Sequence, residues 1–166
     1  MRKTISLGRG EFRVADDPEA VLVIYGLGSC VGLTMYDPST STGAMAHIVL
    51  PRGPADEARK QPGKFADYAV PFLLHQLEMK GARRERLVIR IAGGSDMFAG
   101  VGRFPLTSLD RIGLLNVKAV QEAVQKEGLR VHASDVEGQQ ARTMLLFIDT
   151  GRVLIRKPGQ PELELE

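Results

Sequence analysis

The sequence is organised around VLVIYGLGSCVGLTMY, residues 21–36. Residues 21–25 are continuously apolar and mostly β-branched, which is typical of a strand buried on both faces. Residues 31–36 alternate with a period of two and predict a second strand. Between them lies the chain's only cysteine, Cys30, in a run with glycines at positions 26, 28 and 32. Glycines at a break between strands indicate a conformation or a close approach that a Cβ would prevent, so Cys30 is our candidate nucleophile on a tight turn.

Length and composition limit the kinds of protein this chain can be. Its 166 residues suffice for one domain that buries roughly 70% of the surface of the unfolded chain. The chain has 22 basic and 20 acidic residues, and this small net charge of +2 argues against a nucleic-acid partner. A single cysteine forms no internal disulfide and indicates no oxidising compartment. No run approaches the ~20 apolar residues that span a bilayer, so we expect a soluble cytoplasmic protein without membrane insertion.

The spacing of apolar residues predicts further strands and two helices. Short apolar or alternating runs predict strands at residues 4–7, 11–14, 43–50, 87–92, 129–133, 143–149 and 153–156. Apolar residues at i, i+3, i+4 and i+7 predict a helix at residues 65–80, with a kink or break at Pro71, and another at residues 112–127. A glycine follows each helix and is expected to end it. The buried stripe expected in the second helix is Leu115, Ala119, Val120, Ala123 and Val124.

The segments between these elements are predicted to be loops. Residues 51–63 are rich in proline, glycine and charge, and residues 99–110 show no clear period, so both are expected to be surface loops. The charged run 83–86 is predicted to be a solvated loop, and residues 158–166 a frayed polar tail beyond a single domain at residues 1–157. About eight or nine strands without regular strand–helix alternation predict an α+β fold. Its sheets are expected to be mixed or antiparallel and sandwich-like, with two helices packed on one side.

A histidine near Cys30 would allow its thiol to react. A thiol attacks as the thiolate, and a histidine within hydrogen-bond reach is the usual base that produces it near neutral pH. Of the three histidines, His75 falls in a predicted helix and His132 on the polar face of a predicted strand. His47 lies in the strand that pairs as a hairpin with the strand leaving the cysteine turn. That pairing brings Cys30 and His47 near the same end of the hairpin.

Other interpretations of the same residues remain open. A lone cysteine in an apolar setting is more often a small buried hydrophobe, and a lone histidine on a strand is usually structural. One cysteine and one histidine lack the further ligands that a zinc site needs. The glycine turn is not a dinucleotide-binding fingerprint because no helix pattern follows it. Nor is it a nucleophile elbow, because Leu27 and Val31 stand where glycines would flank Ser29. We therefore expect no metal and no cofactor.

Two motifs carry a resemblance to a known family. They are GLGSCVG at residues 26–32 and MAHIVLP at residues 45–51, and both closely resemble the signature of the CheD family, the chemoreceptor glutamine deamidases of bacterial and archaeal chemotaxis. Similar segments follow in the family's order: PGKFAD at residues 62–67, AGGSDMF at residues 92–98, Ile112-Gly113 with Asn116, and Ala141-Arg142 with Thr150-Gly151-Arg152. The resemblance covers nearly the whole chain and implies a CheD-like fold.

The resemblance also implies a reaction and the residues that perform it. The reaction is hydrolysis of glutamine side chains in chemotaxis receptors to glutamate with release of ammonia, the activity of a protein-glutamine glutaminase. Carried over by motif, Cys30 is the nucleophile and His47 the general base and acid. Cys30 would attack the carboxamide carbon, His47 would protonate the departing ammonia, and water would hydrolyse the thioester. Backbone N–H groups of the turn at Gly28, Ser29 and Cys30 are candidates to stabilise the oxyanion.

Two positions depart from the family's pattern. Ile24 stands where the family usually has a threonine that orients the histidine, and isoleucine accepts no hydrogen bond. Either a backbone carbonyl, a water or another hydroxyl such as that of Thr34 holds His47, or the pair works unaided, or activity is weak. Leu115 stands where the family commonly has arginine.

Finally, the resemblance implies partners and an alternative function. CheD-like proteins also bind CheC-type phosphatases, so a phosphatase partner is expected beside the receptor substrate. The alternative function is that of a mainly non-catalytic regulatory partner of such a phosphatase, for which Cys30 would be dispensable. A lesser alternative is amine transfer, in which an amine instead of water attacks the thioester. Residues 51–63 and 99–110 are candidates for receptor contact.

Overall fold

The structure is a computed structural model that describes residues 1–98 and 111–166. Within them the chain forms two five-stranded sheets. The first sheet has the order β1 (Lys3–Ser6), β3 (Ala20–Leu27), β8 (Arg142–Phe147), β9 (Val153–Arg156), β10 (Leu163–Leu165). The second has the order β2 (Phe12–Ala15), β5 (Thr42–Ile48), β4 (Val31–Asp37), β6 (Val88–Gly93), β7 (Ala133–Val136). The helices are α1 (Ala55–Lys60), α2 (Ala66–Met79) and α3 (Ile112–Lys126). The loop predicted at residues 99–110 lies outside the described residues.

The sheets and helices form three layers. Apolar residues from both sheets, such as Leu22, Met45 and Met144, meet in a core between the sheets. The opposite face of the second sheet packs against α2 and α3 through residues such as Leu33 and Leu73. Most strand pairs are antiparallel, while β1 pairs with β3 and β6 with β7 in parallel. The predicted α+β class, with mixed sandwich-like sheets and two helices on one side, is therefore confirmed.

Two segments that we expected to be irregular are ordered. Residues 158–166, expected to be a frayed polar tail, contain β10, which pairs with β9 and buries Leu165. That expectation was wrong because an alternation of three residues is too short to predict a strand. Residues 51–63, expected to be a loop, contain α1. Acidic residues in its first turn and basic residues in its last turn complement the helix dipole and favour this short helix.

The strand predicted at residues 129–133 was placed too early. Leu129 instead closes α3, because its N–H donates to the Val124 carbonyl at 3.2 Å around Gly128, which has a φ of +76°. The same kind of glycine-terminated turn ends α2 at Gly81, where φ is +93°. Both predicted helix ends are therefore confirmed, while β7 begins only where the predicted strand was expected to finish.

The helices differ from the expectation in two details. α2 continues through Pro71 without a break, because Pro71 is exposed and buried residues on both sides of it hold the helix against the sheet. The buried face of α3 includes Val120 and Val124 of the predicted stripe but not Leu115, which is 39% exposed. Gly113, Asn116 and Val117 complete that face. A search for apolar spacing overlooks a face that contains a glycine and an asparagine.

The charged run 83–86 is a structural anchor and not a solvated loop. Arg86 forms an ion pair at 2.8 Å with the carboxylate of Asp37, whose side chain is fully buried at the end of β4. Burial raises the pKa of the Asp37 carboxyl, but hydrogen bonds from the Arg86 guanidinium and from two backbone N–H groups outweigh it and hold the pKa at about 2. The arginine therefore fixes the segment between α2 and β6 to the central strand of the second sheet.

Candidate active site

The register of β4 and β5 brings Cys30 and His47 together. Gly32 of β4 stands opposite His47 of β5, and Cys30 lies two residues before Gly32 on the same face. Cys30 is therefore diagonal to His47, and diagonal neighbours on one face of a sheet lie about 7–8 Å apart at the backbone, within the reach of larger side chains. Both residues line one cleft of about 620 Å³, at 5% and 6% exposure.

Three segments form the walls of this cleft. They are residues 6–9 at the end of β1 and just beyond it, residues 25–30 around the cysteine, and Met97 with Phe98 after β6. Arg9 supplies the positive charge at the cleft, and Tyr25, at 62% exposure, is its most exposed apolar residue. Residues 51–63 do not line the cleft, and the first of them border a separate groove beside α2 and α3. The sequence carried no signal for the contribution of residues 6–9, which depends on the parallel pairing of β1 with β3.

A backbone carbonyl orients His47. Its Nδ1 lies 3.2 Å from the carbonyl oxygen of Leu7, and since a carbonyl only accepts, Nδ1 carries the hydrogen and Nε2 keeps its lone pair. The Thr34 hydroxyl donates to the Arg90 carbonyl at 3.2 Å, and no hydrogen bond joins it to His47 within the described residues. Ile24 is fully buried in the core between the sheets. The Leu7 carbonyl thus occupies the place that the backbone-carbonyl alternative requires.

The electrostatics of the cleft favour a neutral pair. Burial raises the pKa of the Cys30 thiol, and the positive charge of Arg9 opposes this only in part. Burial lowers the pKa of His47, an effect that the Leu7 carbonyl opposes and Arg9 strengthens. Cys30 therefore rests as the thiol beside a neutral imidazole near neutral pH. In such a pair the neutral imidazole can accept the thiol proton as the sulfur attacks.

The cysteine turn presents unengaged backbone donors. The carbonyls of Gly28, Ser29 and Cys30 accept hydrogen bonds from the Ser95 N–H at 2.8 Å, from Asn116 Nδ2 at 3.0 Å and from the Gly94 N–H at 2.9 Å. In a trans peptide the N–H points opposite to the carbonyl, so the following N–H groups face away from these three donors. Within residues 1–98 and 111–166 the N–H groups of Ser29 and Cys30 have no acceptor. An oxyanion hole needs such unengaged N–H groups, and these two are our candidates for that role.

The described part of the chain contains no cluster of three or more histidine, cysteine, aspartate or glutamate side chains placed to hold a metal ion. Nor does any described helix combine the length and the apolar character needed to cross a bilayer.

The chain is similar to proteins of one family. Residues 49–157 match the protein-family model described as "CheD chemotactic sensory transduction". The chain is 46% identical over 165 residues to a "Probable chemoreceptor glutamine deamidase CheD" of Symbiobacterium thermophilum, covering 99% of this chain and 98% of the relative. It is 42% identical to the "Chemoreceptor glutamine deamidase CheD" of Thermotoga maritima, with coverage of 98% and 96%. A relative of the same kind in Archaeoglobus fulgidus is 36% identical, with coverage of 98% and 99%.

A solved structure, "Bacillus licheniformis hypothetical protein YfiH", aligns with 78% of this chain at 13% identity and a TM-score of 0.43. The chain spans half the length of that protein.

Proposed function

Since the chain belongs to the CheD family, we propose that it is a chemoreceptor glutamine deamidase that hydrolyses receptor glutamines with Cys30 as its nucleophile. The observation that carries the proposal is the cleft that holds Cys30 and His47 together with two unengaged backbone N–H groups. A nucleophile, a base with a fixed tautomer and an oxyanion hole are the three parts that acyl transfer from an amide requires.

The reaction follows from these positions. His47 Nε2 takes the thiol proton as Cys30 Sγ attacks the carboxamide carbon, and the negative charge on the former carbonyl oxygen is stabilised by the N–H groups of Ser29 and Cys30. The imidazolium then gives its proton to the amide nitrogen, which leaves as ammonia, and a thioester remains. His47 next takes a proton from a water that attacks the thioester. The glutamate side chain leaves, and the proton returns to the thiol.

The cleft also limits what the substrate can be. Its wall combines the exposed ring of Tyr25 with the apolar side chain of Met97, and Arg9 places a positive charge beside them. A glutamine on an exposed protein surface could enter such an open cleft, with neighbouring apolar side chains resting on the wall. We expect receptor contacts here and not at residues 51–63.

The deciding experiment is release of ammonia from purified chemoreceptor cytoplasmic fragments, with mass spectrometry of the glutamines. Cys30→Ala is expected to lower the rate by roughly 10³-fold or more, because the nucleophile is lost. Ser29→Ala is the matched control, since it keeps the backbone N–H and removes only a hydroxyl, and it should retain most of the activity. Equal release by Cys30→Ala and wild type would contradict the proposal.

The same variant separates the alternatives. A non-catalytic partner of a CheC-type phosphatase would bind that phosphatase and release no ammonia in either form, and this alternative gives no reason for the arrangement around Cys30. Binding of a phosphatase beside deamidation remains a prediction that a pull-down with Cys30→Ala tests. For amine transfer, mass spectrometry in the presence of an added amine would detect the substituted amide in place of glutamate.

A further inference from the structure

Asn116 is a buried polar side chain that links the two halves of the cleft. It lies in α3 with no exposed surface. Its Nδ2 donates to the carbonyl of Ser29 at 3.0 Å and to the carbonyl of Val49 at 2.9 Å. The first carbonyl directly precedes Cys30, and the second lies just beyond β5, two residues after His47. Burial of an amide costs free energy unless the amide is hydrogen-bonded, so these two bonds are what allow Asn116 on this buried face.

The amide controls the direction of one particular peptide group. The carbonyls of Gly28 and Cys30 are held by backbone N–H groups, whereas the carbonyl of Ser29 is held by the Asn116 side chain. Because the Ser29–Cys30 peptide is planar and trans, a carbonyl that points at Asn116 directs the Cys30 N–H to the side away from Asn116. Ser29 and Cys30 line the cleft, whereas Asn116 does not. The orientation of that N–H therefore depends on a side chain that mutation can replace.

The rest of α3 keeps Asn116 in place. Gly113 packs against the backbone of Gly94 and Ser95 so closely that a Cβ would overlap their carbonyl oxygens. Those two residues are the ones whose N–H groups hold the carbonyls on either side of Ser29. Within the described residues Asn116 Oδ1 has no hydrogen-bond partner, so the side chain acts here through its N–H groups alone.

We infer that Asn116 is a positioning residue that sets the oxyanion hole, by holding the Ser29–Cys30 peptide with the Cys30 N–H facing the cleft. The expected effect of Asn116 on the rate of deamidation rests on the proposed function, whereas its effect on the orientation of the Ser29–Cys30 peptide does not. Without the amide the Ser29 carbonyl loses its donor, and rotation of the peptide would turn a carbonyl oxygen toward the developing negative charge in place of an N–H.

The test compares two reactions of the same thiol. Amide hydrolysis passes through an oxyanion, whereas alkylation of Cys30 by iodoacetamide is a direct displacement that needs no oxyanion hole. Asn116→Asp keeps the shape but replaces the donor with an acceptor. It is expected to lower kcat for deamidation by about 10²–10³-fold, the effect of losing one oxyanion donor, with little change in KM. Its alkylation rate should stay near that of wild type. Gln121→Glu, the same exchange on the exposed face of α3, is the control and should change neither rate.

Each outcome decides the inference. An unchanged kcat in Asn116→Asp, or a fall in alkylation as large as the fall in kcat, would overturn it, since the second result means that the thiol itself has moved. If the wild type releases no ammonia, the proposed function fails, and a crystal structure of Asn116→Asp tests the inference by itself: an unrotated Ser29–Cys30 peptide would overturn it. If Asn116→Asp does not fold, Asn116→Leu, of similar volume and without donors, takes its place in the same measurements.

Discussion

Replacing Gly93 by alanine should lower activity by displacing the turn that carries Cys30. Gly93 ends β6 with a φ of +105°, and a Cβ there would lie well inside 3.0 Å from the carbonyl oxygen of Cys30. Restoring ordinary contact requires the cysteine turn to move by about 1 Å. A displacement of that size between reacting groups costs about 10²-fold in rate, or about 2.7 kcal/mol of barrier. We therefore expect kcat for Gly93→Ala to fall by about two orders of magnitude, measured as ammonia release at saturating substrate.

Gly81→Ala separates this displacement from backbone strain. Gly81 has a similar φ of +93°, but no atom lies within 4 Å of the position its Cβ would take. Both variants should lose about 1–2 kcal/mol of unfolding free energy from the left-handed conformation, measured by urea denaturation. Only Gly93→Ala should lose activity in its folded state. Activity of folded Gly93→Ala equal to that of Gly81→Ala would refute the argument that the Cys30 carbonyl must stay where it is.

Three further predictions concern the charges and the core around the site. Because burial and Arg9 lower the pKa of His47, whose neutral form is the base, kcat/KM should persist as pH falls below the ordinary histidine pKa, and Arg9→Gln should move this acidic limb upward in a pH–rate profile. Asp37→Asn should cost roughly 2 kcal/mol at neutral pH, because it removes the carboxylate charge whose pKa the Arg86 guanidinium and two backbone N–H groups lower from 3.8 to about 2. Since the pKa of Asp37 is lowered to about 2, this carboxylate contributes its full share of the wild type's unfolding free energy above the ordinary aspartate pKa, and that share is lost as the pH falls toward 2. In acid denaturation, the stability of Asp37→Asn should therefore depend less on pH than that of the wild type. Ile24→Thr should cost about 2–4 kcal/mol by placing a hydroxyl in the core without raising kcat, because the Leu7 carbonyl already holds His47; a higher kcat would contradict the assigned orientation.

Local sequence pattern was sufficient to predict much of the fold and to predict that Cys30 and His47 lie near each other. The apolar run before Cys30 and the alternation after it predicted β3 and β4, and the glycines after α2 and α3 predicted where both helices end. These features depend on spacing and on backbone freedom within a few residues. The same reasoning selected His47 over the other histidines, because a short hairpin leaves little choice of register.

The residues that hold the site and the central strand in place were decided by tertiary structure. Leu7 contacts His47 across 40 positions, Asn116 contacts Ser29 across 87, and Arg86 contacts Asp37 across 49. No local pattern predicts such contacts, because they follow from how β1, α3 and the segment before β6 are placed against the central strands. Leu7 acts through a carbonyl that every residue possesses, so its identity carries no signal. From the sequence it was thus possible to predict that Cys30 and His47 lie near the same glycine turn, and both line one cleft. The packing of β1 and α3 decides which carbonyl lies beside the imidazole and which side chain holds the Ser29 carbonyl.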